Sequence, residues 1–357
     1  MGGAADGYQG KNVREANGAA RDEGSPAGGP AEQRRAGSRA ASGPSSGGAG
    51  SGSGATEGQA EELPLVGGDA PHDLGARPVP TPLFNAQHAE RYARQALIRE
   101  YEAHTGARLL VMIDQVFEMS VTLLEELLVG RDPQQDLHLL LASPGGNGEV
   151  ALRLVRTLQR SCHELTIVVP DMAKSAATLM CLGADHIIMS ASSDLGPIDP
   201  QFPIGGRGLV SAKEIRRAVD TAEARVAAVP ESFELYSGLL ADVNMLMVEQ
   251  ATSALERTGT LMREALECVA SRDASQVRTL ADRLSGPLVT DSPVHGATIG
   301  PEQAKALGLP VEIADQQARS WQIIWELWTR YFVAGCWPVG NVAAYEGSKA
   351  SQLLRPG

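Results

Sequence analysis

No window of this 357-residue sequence approaches the roughly 20 apolar residues of a membrane span. The N-terminus also lacks the apolar stretch that a signal peptide needs. Cysteine is scarce: Cys162, Cys181, Cys268 and Cys336 occur without any CxxC spacing, a pattern that suits a reducing compartment. Seven histidines are scattered and none pairs with a cysteine at ligand spacing, so no metal site is expected. Positive charge is in deficit, with 31 Lys and Arg against 43 Asp and Glu and a net charge of −12. That balance argues against nucleic acid or an anionic membrane as a partner. No compact basic patch offsets it, since Arg34, Arg35 and Arg39 sit among acids and Arg216-Arg217 fit the exposed face of a helix. No GxGxxG phosphate loop or pyridoxal-binding lysine motif is present, and no cofactor is expected.

What is there is unevenly distributed. Residues 1–80 are dominated by Gly, Ala, Ser and Pro, in runs such as SGPSSGGAGSGSGAT. Such a segment cannot bury enough apolar surface to offset its ordering entropy, so it is expected to be a disordered tail. Residues 81–335 are ample for one domain, and 336–357 read as a flexible C-terminal tail. With no leader or span in view, the expected setting is the cytoplasm.

Within the domain, strand-like and helix-like runs alternate. Asn85 to His104 carries apolar residues at helical spacing and stops at Gly106. A β-run over Leu109 to Ile113, a helix over Ser120 to Val129 and an almost wholly apolar run over Asp136 to Ala142 follow. A strand that apolar is buried on both faces, which makes His138 within it a satisfied core or strand-edge histidine. Further β-runs at Thr166 to Val169 and His186 to Ser190 complete an α/β pattern with a parallel sheet. Helices then dominate: Ser211 to Ala228, Phe233 to Glu267, Ala274 to Arg283, a short one ended by Gly308, and Ser320 to Val333.

Two turns in this pattern can do chemistry. Ser143-Pro144-Gly145-Gly146 ends one β-run, and its glycines reach backbone angles closed to other residues, so N–H donors can face outward. Ala173-Lys174-Ser175-Ala176-Ala177-Thr178 ends the next and opens a helix, whose N-terminus favours developing negative charge near the Ala176 N–H. Gly146 and Ser175 lie 29 residues apart, about what one crossover helix and a return strand need. A right-handed crossover puts both turns at one carboxyl edge of the sheet. Ser175 is then either a nucleophile or a helix N-cap.

SPGG, the Ser175 turn and LGPIDPQ in this order resemble the ClpP/crotonase superfamily, which includes the Clp protease proteolytic subunit and signal peptide peptidase A. With TPLF and RYARQALIREYEAHTGARLLVMI upstream and HGATIGPEQAKALGLPV downstream, the chain is similar to the serine dehydrogenase proteinase family in particular, over about Thr81 to Tyr331. The resemblance implies a ClpP/crotonase-like spiral of βαβ units with a mainly helical C-terminal part. It implies Ser175 as nucleophile and the N–H groups of Gly146 and Ala176 as oxyanion hole. The implied function is a serine peptidase acting on peptide or protein substrates by acyl transfer. Family members often carry an N-terminal membrane segment, which here gives way to the Gly-rich stretch.

The general base is where this sequence departs from the pattern. A Clp-like histidine about 25 residues after the nucleophile is replaced by Pro197-Ile198-Asp199-Pro200. Signal peptide peptidase A uses a lysine instead, which makes Lys213 a candidate base; its alternative is a surface lysine in the first turn of a helix. Lys174 adjoins Ser175 but would point elsewhere. Asp199, held between prolines, and His295 are further candidates for orienting or accepting the proton, and Asp194 for capping the Leu195-Gly196 turn. Two rivals stay open: a catalytically silent oligomeric scaffold, and a crotonase-like acyl-CoA enzyme.

Trp321, Ile324, Trp325, Trp328, Tyr331 and Phe332 share one helical face, which points to packing against the core or to a subunit interface in a homo-oligomer. Deleting the residues before about Pro78 is expected to leave the melting temperature of the domain unchanged; a large drop in a thermal melt of the truncated chain would show instead that this segment docks.

Overall fold

The computed structural model describes residues 80–204, 208–290, 297–336 and 342–355. The expected N-terminal tail, apart from Pro80, and His295 lie outside the described residues.

Local chemistry sets the first elements. Thr81 caps α1 (Pro82–Thr105) by accepting the Phe84 N–H at 3.2 Å, with Pro82 in the first turn, and Gly106 ends it at φ 77°. The αβ alternation follows: β1 (Arg108–Ile113), α2 (Glu118–Leu127), β2 (Leu137–Ala142), α3 (Gly148–Gln159) and β3 (Leu165–Val169). A two-residue strand β4 (Met172–Ala173) leads into α4 (Ala176–Leu182), β5 (His186–Met189) and the short β6 (Asp194–Leu195). A hairpin of β7 (Gln201–Pro203) and β8 (Leu209–Ser211) precedes α5 (Ala212–Ala228), α6 (Phe233–Leu239), α7 (Met245–Leu266) and α8 (Ala274–Ser285). The chain closes with α9 (Pro301–Ala306), β9 (Val311–Ile313), α10 (Arg319–Val333), β10 (Ala343–Gly347) and β11 (Ser351–Leu354).

The central sheet has the order β11-β10-β1-β2-β3-β5-β9. β1, β2, β3, β5 and β9 are parallel, and β10 and β11 run antiparallel at one edge. This is the expected α/β class. Period-two alternation sorts the strand residues between two cores: Leu110, Met112, Leu139, Leu141, Ile167 and Val169 face α3, α4, α7 and α8, whereas Leu109, Val111, Ile113, Leu140 and Val168 face α1 and α10. Beyond the sheet edge the strand ends continue as a second, short ladder. Val116 bridges Gly146, Ser143 bridges Ala173, β4 pairs β6, and Leu195 bridges Ile299.

Four expectations change. The long helix expected over Phe233 to Glu267 is two, because Asn244 starts a new one by accepting the Met247 N–H at 2.9 Å. β9, unanticipated, is a short edge strand beside β5. The segment 336–357, expected as a flexible tail, supplies β10 and β11 to the sheet. Its anchor is Glu346, fully buried, whose Oε2 accepts Arg94 Nε at 2.7 Å and the Tyr331 hydroxyl at 2.6 Å. No local pattern announces such a strand, since its charged residue finds its partner 252 residues away on α1. Finally, the aromatic stripe of α10 divides: Trp321, Ile324, Trp328 and Tyr331 are buried in the protein's own core, and Trp325 and Phe332 remain exposed. Of the two readings of the stripe, packing against the core takes most of its apolar surface, and Trp325 and Phe332 are what remains for an interface.

His138 is a satisfied strand histidine: its Nδ1 lies 2.7 Å from the Tyr101 hydroxyl. Burial lowers its pKa from 6.5 to about 4, helped by the nearby His186 and opposed by Asp136. The unfolded chain takes up this proton near pH 6.5 and the folded one only near 4. The contribution is thus complete above about 6.5 and is lost as the pH falls through that window. A melting temperature that falls between these pH values in the wild type, and falls less in His138→Gln, is the expected result. For the buried charges, Glu346→Ala is expected to cost about 3 kcal/mol or more in a denaturant titration because Arg94 is left unpaired, and Arg94→Met with Glu346→Leu to cost less than that single change.

Candidate active site

Ser175 sits where β4 turns into α4, with φ 49° and ψ −115°. It is the one non-glycine residue with positive φ among the described residues. Such a conformation costs about 1–3 kcal/mol and persists only where the surroundings enforce it. Here the enforcement is visible on both sides. Ser143, through its backbone, accepts the Lys174 N–H at 2.9 Å and donates to the Met172 carbonyl at 3.0 Å. The buried Thr178 hydroxyl lies 2.8 Å from the carbonyls of Ala173 and Gly196 and accepts the Gly196 N–H at 3.2 Å. A strained strand-to-helix turn of this kind lifts a serine hydroxyl clear of the backbone.

The SPGG turn is packed directly on that serine. Gly145 and Gly146 have φ 106° and 143°, and a Cβ on Gly145 would come within 2.7 Å of the Ser175 Cβ and 2.8 Å of the Lys174 carbonyl. A Cβ on Gly146 would meet the Val116 carbonyl oxygen at 2.3 Å. Both positions need glycine for conformation and for space. Val116 donates to the Gly145 carbonyl and accepts from the Asn147 N–H, both at 2.8 Å. Because the carbonyl and the N–H of one trans peptide point opposite ways, the Gly145–Gly146 peptide that gives its carbonyl to Val116 turns its Gly146 N–H away from Val116, toward the neighbouring strand that leads to Ser175. The buried Ser143 hydroxyl accepts the Gly145 N–H at 3.1 Å and shapes the turn from within. Ala176, the first residue of α4, offers an N–H of the kind that has no partner inside its own helix.

Gly146, Ser175, Ala176 and Asp199 line one cleft of about 200 Å³. Its other wall is α7, which contributes Ala254, Arg257, Thr258 and Leu261, opposite Leu179 and Ile198. Arg257 binds both carboxylate oxygens of Glu149 at the rim, at 2.6 and 2.7 Å, and Glu264 at 2.7 Å. These α7 residues were not anticipated. Their i, i+3, i+4, i+7 spacing is the spacing of any core-facing stripe, so nothing in the sequence separates a cleft wall from packing.

Asp199 is buried, and Oδ1 accepts the Ser211 hydroxyl at 2.7 Å, while Lys213 Nζ lies 3.7 Å from Oδ2. The GPIDPQ segment that carries it is tied down at Ile198, whose N–H donates to Leu288, and at Pro200, which accepts from Ala212. Lys213 does not line the Ser175 cleft. It borders a separate groove of about 1280 Å³ between α5 and α7 and reaches Asp199 from there. Lys174 is ion-paired with Asp194, which turns it from Ser175, and its aliphatic stem packs where a Cβ on Gly196 would sit. Among the described residues no group of His, Cys, Asp and Glu is arranged to hold a metal ion, and no helix is long and apolar enough to cross a membrane.

Two uncharacterized proteins of Methanocaldococcus jannaschii are similar to the chain. One is 28% identical over 176 residues, 49% of this chain and 53% of the relative. The other is 29% identical over 125 residues, 30% of this chain and 42% of the relative. The chain thus spans about half the length, or less, of these curated relatives. A family model described as ClpP-like SDH-type serine proteinase matches residues 82–328, from the first turn of α1 to Trp328 in α10. The match includes both turns of the cleft and most of the described sheet, and the chain belongs to this ClpP-like SDH-type serine proteinase family.

Proposed function

We propose that the protein is a serine peptidase that hydrolyses peptide bonds by acyl transfer at Ser175. The observation that carries this reading is the enforced positive φ of Ser175, with the SPGG turn packed against its Cβ. A turn that only capped a helix would need neither. In this mechanism Ser175 Oγ attacks the substrate carbonyl carbon, and the carbonyl oxygen takes up negative charge facing the N–H groups of Gly146 and Ala176. Collapse of the tetrahedral species expels the amine, which takes the proton the serine lost, and leaves an acyl-enzyme that water hydrolyses. No metal or cofactor is called on.

Asp199 anchors the proton-accepting side, because it shares the cleft with Ser175 and is held by Ser211 and Lys213. Two residues are candidates for the base, Lys213 and His295. The substrate is a peptide or protein segment, and the setting is a reducing one such as the cytoplasm, which suits four free thiols. The assembly is a homo-oligomer. Its contact surface falls on the exposed Phe233, Leu235, Leu239, Met245 and Leu246 of α6 and α7, more than on the mostly buried stripe of α10.

A fluorophosphonate probe is expected to label the wild type and not Ser175→Ala; labelling that persists in the variant would move the nucleophile elsewhere. Lys213→Met and His295→Ala then separate the bases, since loss of a general base lowers the rate about 10²–10⁴-fold. The residue whose removal does this, with the fold intact by circular dichroism, is the base. Labelling by the wild type should rise with pH as that base loses its proton.

A further inference from the structure

Gly146 is held by Val116, and the segment that carries Val116 is held in turn on both sides by a side chain about 200 residues later. The segment from Asp114 to Ser120 wraps around the Tyr345 hydroxyl: Tyr345 Oη donates toward Asp114 Oδ2 at 2.9 Å and lies 2.8 Å from Ser120 Oγ. Ser120 Oγ accepts the Phe117 N–H at 3.1 Å, and the Asp114 N–H donates to the Ala142 carbonyl at 3.3 Å. Between these fixed points Val116, fully buried, grips the peptide groups on either side of Gly146. Tyr345 is itself fully buried in β10, in register with Met112 of β1.

We infer that Tyr345 is a positioning residue for the oxyanion hole: its hydroxyl sets the Val116 segment, and that segment aims the Gly146 N–H at the Ser175 cleft. The inference rests on the peptidase reading of that cleft. It assigns a task to the C-terminal strand pair beyond closing the sheet edge. Removing the hydroxyl leaves the ring in place but releases Asp114 and Ser120 from their common partner. The Val116 bridge to Gly146 then has one fixed end instead of two. A hydrogen-bond donor displaced by a fraction of an ångström is still present but stabilises the tetrahedral species less well, so the rate falls while ground-state binding does not.

Tyr345→Phe tests this against Tyr331→Phe. The second variant deletes another fully buried hydroxyl, the one on Glu346, that bonds neither Asp114 nor Ser120. The expected result is a fluorophosphonate labelling rate of Ser175 lowered about tenfold in Tyr345→Phe. Tyr331→Phe, at a comparable loss of melting temperature, should keep the wild-type rate. On a turned-over peptide the loss should appear in kcat with KM unchanged. Ser120→Ala, which removes the other contact of the same hydroxyl, should follow Tyr345→Phe and serves if that variant does not fold. Amide hydrogen exchange reads the mechanical link independently of any chemistry: faster exchange over 114–120 and 143–147 in Tyr345→Phe, and not in Tyr331→Phe, supports it. Unchanged exchange and an unchanged labelling rate in Tyr345→Phe overturn the inference, as does an equal slowing in both Phe variants. A wild type that shows the exchange difference but takes no label overturns the peptidase reading and leaves the mechanical link standing.

Discussion

Everything at the candidate site depends on one close approach, that of a backbone without side chains to the β-carbon of Ser175. Gly145 has no room for a Cβ against Ser175, and Gly146 has none against Val116. The turn is clamped from both sides by chain that belongs to different layers of the fold. Its peptide groups are therefore held in one orientation, which is the condition that the proposed role of the Gly146 N–H requires. The strain at Ser175 belongs to the same arrangement. A serine free to relax into an ordinary helix-cap conformation would not be held under a turn packed this tightly.

The second, short ladder beyond the sheet edge makes that clamp possible. In a flat parallel sheet the strands would end together and their loops would diverge. Here Val116, Ser143 to Gly146, β4, β6 and Ile299 go on pairing after the main sheet has ended. Each functional segment is thus hydrogen-bonded to its neighbour. Thr178 ties α4 to Gly196, and Asp199 follows three residues later, anchored by Ser211 on α5's N-terminus. Ser175, the SPGG turn and Asp199 come from three separate stretches, each docked on the next.

The opposite edge of the molecule is stabilised by different means. Arg94, Tyr331 and Glu346 bring one charged pair and one hydroxyl together in the core between α1, α10 and β10. A buried pair of this kind adds little to stability over apolar residues of the same size, but it is costly to break, and it is satisfied in the observed register of β10 on β1. That register places Tyr345 under Asp114 and Ser120. The C-terminal strands are in this way coupled to a site about 200 residues earlier in the chain.

How much of this could be read without coordinates follows the range of the forces involved. Apolar alternation, the glycines of SPGG and the stop at Gly106 are local, and they determined the alternation of the longer strands and helices from α1 to β5, the helix α5 and the two turns beside Ser175, but not the short strands β4, β6, β7 and β8. The family resemblance rested on the same local stretches. The split at Asn244 was local too, but it was hidden inside a continuous apolar stripe. What no local pattern could decide were the pairings between distant segments. Ala254, Arg257, Thr258 and Leu261 became a cleft wall only when α7 crossed α3 and α4. The polar run around Glu346 became a buried strand only when Arg94 met it. Whether Lys213 or Asp199 shares space with Ser175 was likewise settled by tertiary packing, which put the aspartate in the cleft and the lysine behind it. Residue type and spacing carry information over one or two turns of chain, whereas burial and ion pairing are properties of neighbours that only the folded chain brings together.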